Sequence, residues 1–218
     1  MASEVKTNKI SPSTSTTVTL GDASDLFQLP ASAEIDIASG ATLDVNGTID
    51  LTGATKTGFP GGLDNASQWR LTANFSDDAT PINANLEQVD LPVGFGVLGS
   101  SMTQSSGVFT FPSTGYWLIS FNAQFYSATT SNSNYFKIQT CIDNTAGPTF
   151  ADASIGCGAF QGTQIANHAI LYIFDVTNTT ECKCRFVIGP CENGAQTTTM
   201  GETYQNETSM AFLKLADT

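Results

Sequence analysis

Residues 107–125, GVFTFPSTGYWLISFNAQF, limit what this chain can fold into. The first half leads into the turn cluster Pro112-Ser113-Thr114-Gly115, where proline fixes φ and glycine accommodates a positive φ. In the second half, residues 116–125, large aromatic and aliphatic side chains occupy both of the alternating faces of a predicted strand. Such a strand needs cover on both sides, which a sandwich core supplies on one side and a neighbouring subunit can supply on the other.

The composition favours an all-β protein with many turns. Charged residues make up only 13% of the 218 residues, whereas long surface helices normally use abundant Glu, Lys and Arg. The net charge of −12 argues against nucleic-acid binding, because phosphate contacts need clustered Lys and Arg. No apolar run approaches the roughly 20 residues needed to span a bilayer, so no membrane insertion is expected.

Beyond residue 62, short apolar runs separated by turn residues predict the strands of a β-sandwich. The predicted strands cover residues 68–75, 86–90, 107–111, 116–126, 135–142, 168–176, 184–188 and 209–215. The polar stretches 128–134 and 193–199 are predicted to be loops, where variable binding surfaces commonly lie.

An internal repeat in residues 31–59 predicts a short β stem. Each unit reads aliphatic–Asp–aliphatic, then a turn with Gly and Thr, and its two apolar residues cannot form a core alone. Three chains winding together would bury these residues along a common axis, as in the triple-stranded stems of phage fibres that the segment resembles. The stem-core residues are Ile35, Ile37, Leu43, Val45, Ile49 and Leu51. The intervening Asp36, Asp44 and Asp50 are expected to face water rather than to bind calcium.

Residues 1–30 are rich in Ser and Thr and carry only two short apolar alternations. Their composition fits either a disordered tail or an anchor that orders when it docks. The segment MASEVKTNKISPSTSTTVTLGDASD resembles the start of structural proteins of marine tailed phages, especially fibre-type proteins, which favours the anchor. The residues expected to dock are Val18, Leu20, Leu26 and Phe27.

The Gly- and Pro-rich residues 57–62 predict a hinge. The expected organisation is therefore an anchor over residues 1–30, a stem and hinge over 31–62, and a head over 63–218. No secretory signal is evident at Met1, so the protein is expected to be made and assembled in the cytoplasm of the host cell.

The head resembles the C1q/TNF-like jelly roll at two places. Residues 107–112, GVFTFP, and 115–121, GYWLISF, match that family's G-x-F-x-x-P motif, turn and aromatic strand, and residues 209–215, SMAFLKL, match its closing strand. The resemblance implies a compact homotrimer with aromatic side chains near the threefold axis. The candidates for the trimer core or the sandwich core, two roles that the sequence does not separate, are Tyr116, Phe121, Phe125 and Phe212.

The sequence predicts no catalytic, cofactor or metal site. His168 is the only histidine, and no GxSxG, Walker A or HExxH pattern occurs. The five cysteines cannot all pair within one chain, and Cys182 and Cys184 share a strand face, so buried reduced thiols are expected. A zinc site would need more nitrogen or sulfur ligands than this pattern places together.

These features together predict a bacteriophage virion protein that forms a short trimeric fibre. Its N-terminus would bind other virion proteins, and its head would contact a host-surface glycan or protein. Two alternatives remain: a capsid decoration or cement protein with no receptor role, and a cellular C1q-like adhesin. The missing signal peptide counts against the adhesin.

Overall fold

The structure is a computed structural model that describes residue 35 and residues 37–46, 63–90, 97–144 and 147–218. The chain divides into two compact units, Met1–Lys56 and Thr57–Thr218. The predicted anchor residues Val18, Leu20, Leu26 and Phe27 lie outside the described residues, as do Ile49 and Leu51 of the predicted stem.

The described part of the first unit contains one tight turn. The Ala41 backbone N–H donates to the Ala38 carbonyl at 2.9 Å, and Gly40 takes the positive φ of 84° that this turn requires. Residues 37–46 form no strand in the single chain.

The second unit is all-β, which confirms the fold class predicted from the sequence. Its strands are β1 (Ala66–Leu71), β2 (Ala73–Ser76), β3 (Leu86–Gln88), β4 (Thr103–Ser105), β5 (Val108–Thr110), β6 (Gly115–Ser127), β7 (Ser131–Cys141), β8 (Ala151–Phe160), β9 (Gln164–Val176), β10 (Lys183–Cys191), β11 (Thr197–Glu202) and β12 (Ser209–Ala216). One 3-10 turn, Gly194–Gln196, precedes β11. No helix in the described part of the chain is long and apolar enough to cross a membrane.

The strands form two antiparallel sheets. Sheet A has the order β2-β11-β6-β12-β1-β3, and β9 pairs with β6 along the whole length of β6, from Gly115 to Ser127. Sheet B has the order β4-β5-β10-β7-β8. Neighbouring strands are mostly distant in sequence, so the connections cross between the two sheets as in a jelly roll.

The central strand β6 shows why the sandwich forms. Its alternate residues Trp117, Ile119, Phe121, Ala123 and Phe125 are fully buried, because side chains in a strand point to opposite faces in turn. They face the buried side chains of sheet B, which include Phe109, Phe136, Ile138 and Phe186. The prediction that one face of this strand belongs to a sandwich core is thus confirmed.

The chain enters and leaves the sandwich at the same end. Ala66 at the start of β1 pairs with Leu213 near the end of β12. The turn between β8 and β9 lies at the opposite end, because Gln164 pairs with Ser127 at the far end of β6.

Three strands were not predicted, and two predicted loops were too long. β4, β8 and β11 have sequences with little apolar alternation: TQS, ADASIGCGAF and TTTMGE. Consequently the predicted loop 128–134 ends at Ser131, where β7 begins, and the predicted loop 193–199 ends at Thr197, where β11 begins. These residues form strands because the neighbouring strands supply backbone hydrogen bonds and bury some of their side chains. Those tertiary contacts outweigh the low intrinsic strand propensity of the sequence.

The small residues of β8 make room for large side chains of the core. A Cβ on Gly158 would lie 2.6 Å from Nε2 of His168, and one on Gly156 would collide with the Phe136 ring. The His168 ring is itself confined by Phe125, Phe136 and Phe160, with centroid separations of 6.0 to 6.4 Å. Glycine is therefore required in β8 for close packing.

We expect Gly158→Ala to lower the free energy of unfolding by about 1–3 kcal/mol, because the added methyl group overpacks the site of His168. Urea denaturation at matched protein concentration measures this loss. The control is Ala159→Ser, an exposed neighbour on the same strand, which should change stability by less than about 0.5 kcal/mol. Equal unfolding midpoints for the two variants would contradict the packing argument.

Candidate interaction surfaces

Metal-ligating clusters and a histidine hydrogen-bonded through Nε2 are absent from the described residues. No group of three or more His, Cys, Asp or Glu in the described ranges is placed to hold a metal ion. Nε2 of His168 is buried and has no hydrogen-bond partner among the described residues. A histidine that acts as a general base would instead accept a hydrogen bond from the hydroxyl or thiol group of the nucleophile.

The cysteines are all unpaired, and two of them have strongly raised pKa values. Complete burial raises the pKa of the Cys184 thiol well above its ordinary value. Burial, reinforced by the negative charge of Asp78, raises the pKa of Cys191 to about 12. Both thiols are therefore protonated at neutral pH and are poor nucleophiles.

The structure separates the four residues proposed for the trimer core or the sandwich core. Phe121, Phe125 and Phe212 are fully buried between the sheets. Tyr116 is 42% exposed and lies on the opposite face of β6, directed away from sheet B. Only Tyr116 is thus available to a partner in the single chain.

Tyr116 belongs to a large apolar surface on the outside of sheet A. We call this surface the apolar outer face. It consists of Tyr116, Leu118, Leu171, Ile173, Leu213 and Leu215. Leu171 and Ile173 are 59% and 56% exposed. Contiguous exposed apolar surface of this kind is uncommon on monomers and marks an interaction site.

The strand register makes this surface continuous across the sheet. Ile173 of β9 pairs with Leu118 of β6, which pairs with Leu213 of β12, so three aliphatic side chains form one row. Asp175 is the sole charged residue at the outward positions of β6 and β9. The apolar outer face is therefore almost free of charge in a chain whose net charge is −12.

The described residues of the predicted stem core are also exposed in the single chain. Ile35 and Leu43 are 62% and 65% exposed, and Ile37 and Val45 are 43% and 41% exposed.

The outside of sheet B carries a hydrogen-bonded array of polar side chains. The Arg185 guanidinium lies over the Phe150 ring, 4.1 Å from its centroid, and its Nε donates to Gln139 Oε1 at 2.7 Å. Gln139 Nε2 donates to Asp152 Oδ1 at 2.6 Å, and Lys137 Nζ donates to Asp152 Oδ2 at 2.9 Å. The array spans β10, β7 and β8 because Arg185 pairs with Gln139, which pairs with Asp152.

Two pKa values in this array shift for identifiable reasons. The hydrogen bond from Gln139, followed by that from Lys137, lowers the pKa of Asp152. Partial burial lowers the pKa of Arg185, although Asp152 opposes that shift, and the guanidinium remains charged at physiological pH.

The sequence predicts that a neighbouring subunit can cover the second face of residues 116–125, but it identifies neither the contribution of β9 to that surface nor the array on sheet B. The contribution of β9 to the apolar outer face could have been found from strand parity, because Leu171 and Ile173 alternate with less exposed positions of β9. The array on sheet B joins residues that are distant in sequence, and no local motif marks it.

Comparison with known proteins supports the fold. No protein-family model matches the chain, and no curated protein sequence matches it. Among solved structures, Eiger TNF from S. frugiperda superposes with a TM-score of 0.52 and 11% identity, covering 70% of this chain and 93% of that one. Murine APRIL at pH 5.0 gives a TM-score of 0.48 and 12% identity, covering 69% and 98%. The likeness to Eiger TNF shows a TNF-like jelly roll, and at this identity it shows the fold alone.

We expect Gln139→Leu to raise the pKa of Asp152 toward its ordinary value of 3.8, because the variant removes the hydrogen bond that lowers it most. The carboxyl carbon shift of Asp152, followed by NMR during acid titration, measures the change. Ile155→Ala on the same face is the control, since it leaves both partners of Asp152 in place. An unchanged titration of Asp152 in Gln139→Leu would contradict the assigned cause.

The sign of the pH effect follows from the lowered pKa. Asp152 is more acidic in the folded chain, so its stabilisation is present above the unfolded pKa and is lost as the pH falls through the folded pKa.

Proposed function

We propose that this chain is a non-enzymatic virion protein of a bacteriophage, in which three copies form a short fibre. Residues 1–30 attach the fibre to the particle, the stem joins the three chains, and the TNF-like head is presented at the far end. The single observation that carries the assembly is the apolar outer face of sheet A, beside which Asp175 is the one charged residue at the outward positions of β6 and β9.

The edge strand β9 supports burial of this face by a second copy. β9 is 13 residues long, pairs with β6 on one side only, and contains no Lys or Pro. Soluble monomers usually protect such edges with charges, prolines or bulges, because a long apolar edge otherwise aggregates. The absence of these protections on β9 is expected if a second copy of the chain covers this edge in the assembled protein.

Charge supports a partner identical to this chain. Copies that each carry a net charge of −12 repel one another over most of their surfaces. Contact through the apolar outer face brings together surfaces with hardly any charge and buries exposed Ile and Leu side chains. A closed ring of three copies also follows from the resemblance of the motifs in residues 107–121 to the C1q/TNF-like family.

The stem fits the same assembly. A stretch with exposed Ile35, Ile37, Leu43 and Val45 gains stability only when these residues are covered, and three parallel copies would cover them mutually. The virion location and the anchor role of residues 1–30 rest on the resemblance of that segment to phage fibre-type proteins. A trimeric head would also give three weak contacts with a host surface a useful combined avidity.

We expect Ile173→Asp to convert the trimer to a monomer, because the carboxylates would be buried against apolar surface near the like-charged Asp175. Light scattering of the purified full-length protein at micromolar concentration gives the mass. Circular dichroism checks that the strands remain folded.

Ile142→Asp is the matched control, because Ile142 is 73% exposed at the end of sheet B and lies outside the apolar outer face. This variant should keep the mass of three chains. A monomeric wild-type protein would overturn the trimer, and a folded Ile173→Asp trimer would show that another surface holds it.

We expect deletion of residues 1–30 to leave a soluble trimer that no longer joins the virion. The stem and head supply the contacts between chains, whereas the deleted segment supplies the contact with the particle. Complementation of a phage lacking the full-length gene, followed by detection of the protein in purified particles, measures incorporation. Normal incorporation of the truncated trimer would remove the anchor from the proposal.

A further inference from the structure

We propose that Arg185 and its surroundings on the outside of sheet B form a binding site for the carboxylate of an acidic sugar. The inference deepens the proposed function by naming the chemistry of the ligand, and it rests on that function only for the presence of three such sites per fibre. A single head suffices for binding.

The guanidinium of Arg185 is held in place while its terminal nitrogens remain available. The stack on Phe150 and the Nε–H bond to Gln139 fix the plane of the guanidinium. Its two terminal nitrogens donate to no acceptor within the described ranges. An arginine ordered in this way presents a planar pair of donors that matches the two oxygens of a carboxylate.

The other described cations already have oxygen partners. Arg70 is paired with Glu87 and Asp90, and Lys214 with Asp64 and Asp217. Lys183 donates to the Thr179 carbonyl, and Lys137 is paired with Asp152. Like Lys183, Arg185 has no carboxylate bound to it among the described residues, but the two terminal nitrogens of Arg185 also lack any oxygen partner there.

The neighbouring Asp152 does not fill the site. Its Oδ1 accepts from Gln139 and its Oδ2 accepts from Lys137, so both oxygens are engaged. Lys137, Lys183 and Arg185 all lie on β7 and β10, and Asp152 on β8 faces the same side. Since Lys137 is paired with Asp152, Arg185 adds to this face a positive charge that forms no ion pair among the described residues and complements an anionic ligand.

The sheet geometry removes the backbone pairing that would favour an extended acidic peptide. β10 is paired with β5 on one side and with β7 on the other, so its backbone offers no free edge for an extended peptide. A ligand must therefore approach the flat face through side chains alone. An acidic sugar can do so with its carboxylate on Arg185 and its hydroxyl groups free to exchange hydrogen bonds with water and nearby polar groups.

The two outer faces of the sandwich point in opposite directions. If the apolar outer face of sheet A is buried between copies, the Arg185 site remains on the outside of the assembly. Three sites would then face solvent, one on each head.

Arg70 and Arg185 are the only arginines in the sequence, so the Nε–H signals of the two side chains can be followed separately by NMR. We expect titration of the full-length protein with trigalacturonic acid to shift the Arg185 signal and the backbone amides of β10. The Arg70 signal should stay constant because its side chain is fully buried. A neutral galactose trisaccharide should shift neither signal.

Variants test whether the guanidinium carries the binding. Arg185→Gln should weaken the binding of trigalacturonic acid, measured from the β10 amide shifts, by about tenfold or more, as expected for loss of a charge-assisted bidentate contact. Lys214→Gln removes the same charge elsewhere and should leave the affinity within about twofold, since its screened charge is remote. Arg185→Lys should give an intermediate affinity because it keeps the charge and loses the planar pair of donors.

Several outcomes would overturn the site: no Arg185 shift, an equal response to the neutral sugar, or unchanged affinity in Arg185→Gln. Equal or stronger responses to triglutamate or to sodium sulfate would replace an acidic sugar with an acidic peptide or a simple oxyanion. Light scattering of the same samples tests the trimer independently of the binding site. A monomer that binds the sugar would reject the trimer and keep the site, and a trimer that does not bind would do the reverse.

Discussion

The contact between aromatic rings of the two sheets is the interaction on which this fold depends. Phe109 of sheet B lies 5.3 Å from Trp69 and 5.2 Å from Phe212, both of sheet A, and 5.4 Å from Phe186 of its own sheet, measured between ring centroids. Packed sheets lie roughly 10 Å apart, and rings of this size fill the space between them. The strand β5 has only three residues, so its strand pairing alone would stabilise its position weakly, and the aromatic contacts of Phe109 supply the rest.

The side chains that are buried between the two sheets determine which side chains point outward. Because alternate residues of a strand point to opposite sides, burial of Phe121 and Phe125 forces Leu118 and Tyr126 outward. The outward side of sheet A carries aliphatic and aromatic side chains around Leu118 and Ile173, whereas that of sheet B carries Arg185, Gln139 and Asp152. The two surfaces differ sharply in polarity although they are built on the same core, so they suit different partners.

The fold could be predicted from the sequence where apolar alternation is strong. Strands β6, β9 and β12 were predicted near their observed positions because they carry long runs of aromatic and aliphatic residues. β8 was missed since its Gly156 and Gly158 have low strand propensity, and their function in packing depends on Phe136 and His168, which lie on other strands.

The candidate surfaces could be predicted less well. Strand parity separates Tyr116 from Phe121, five positions further along, but aromatic character and motif position alone make both residues candidates for either core. The placement of Phe150 over Arg185 depends on a connection between β7 and β8 that has no local signal. Charge complementarity and stacking of this kind emerge only when distant residues are brought together.

The pairing of Ala66 with Leu213 places both ends of the sandwich next to each other. Because its two ends are adjacent, such a domain can be removed, exchanged or inserted into another protein as a unit, with both connections at the same place. Cargo fused after Thr218 would emerge beside the point of entry. The turn between β8 and β9, at the opposite end, would remain open for inserted sequence. The architecture thus separates the end that connects from the end that can vary, which suits recombination among heads with different surfaces.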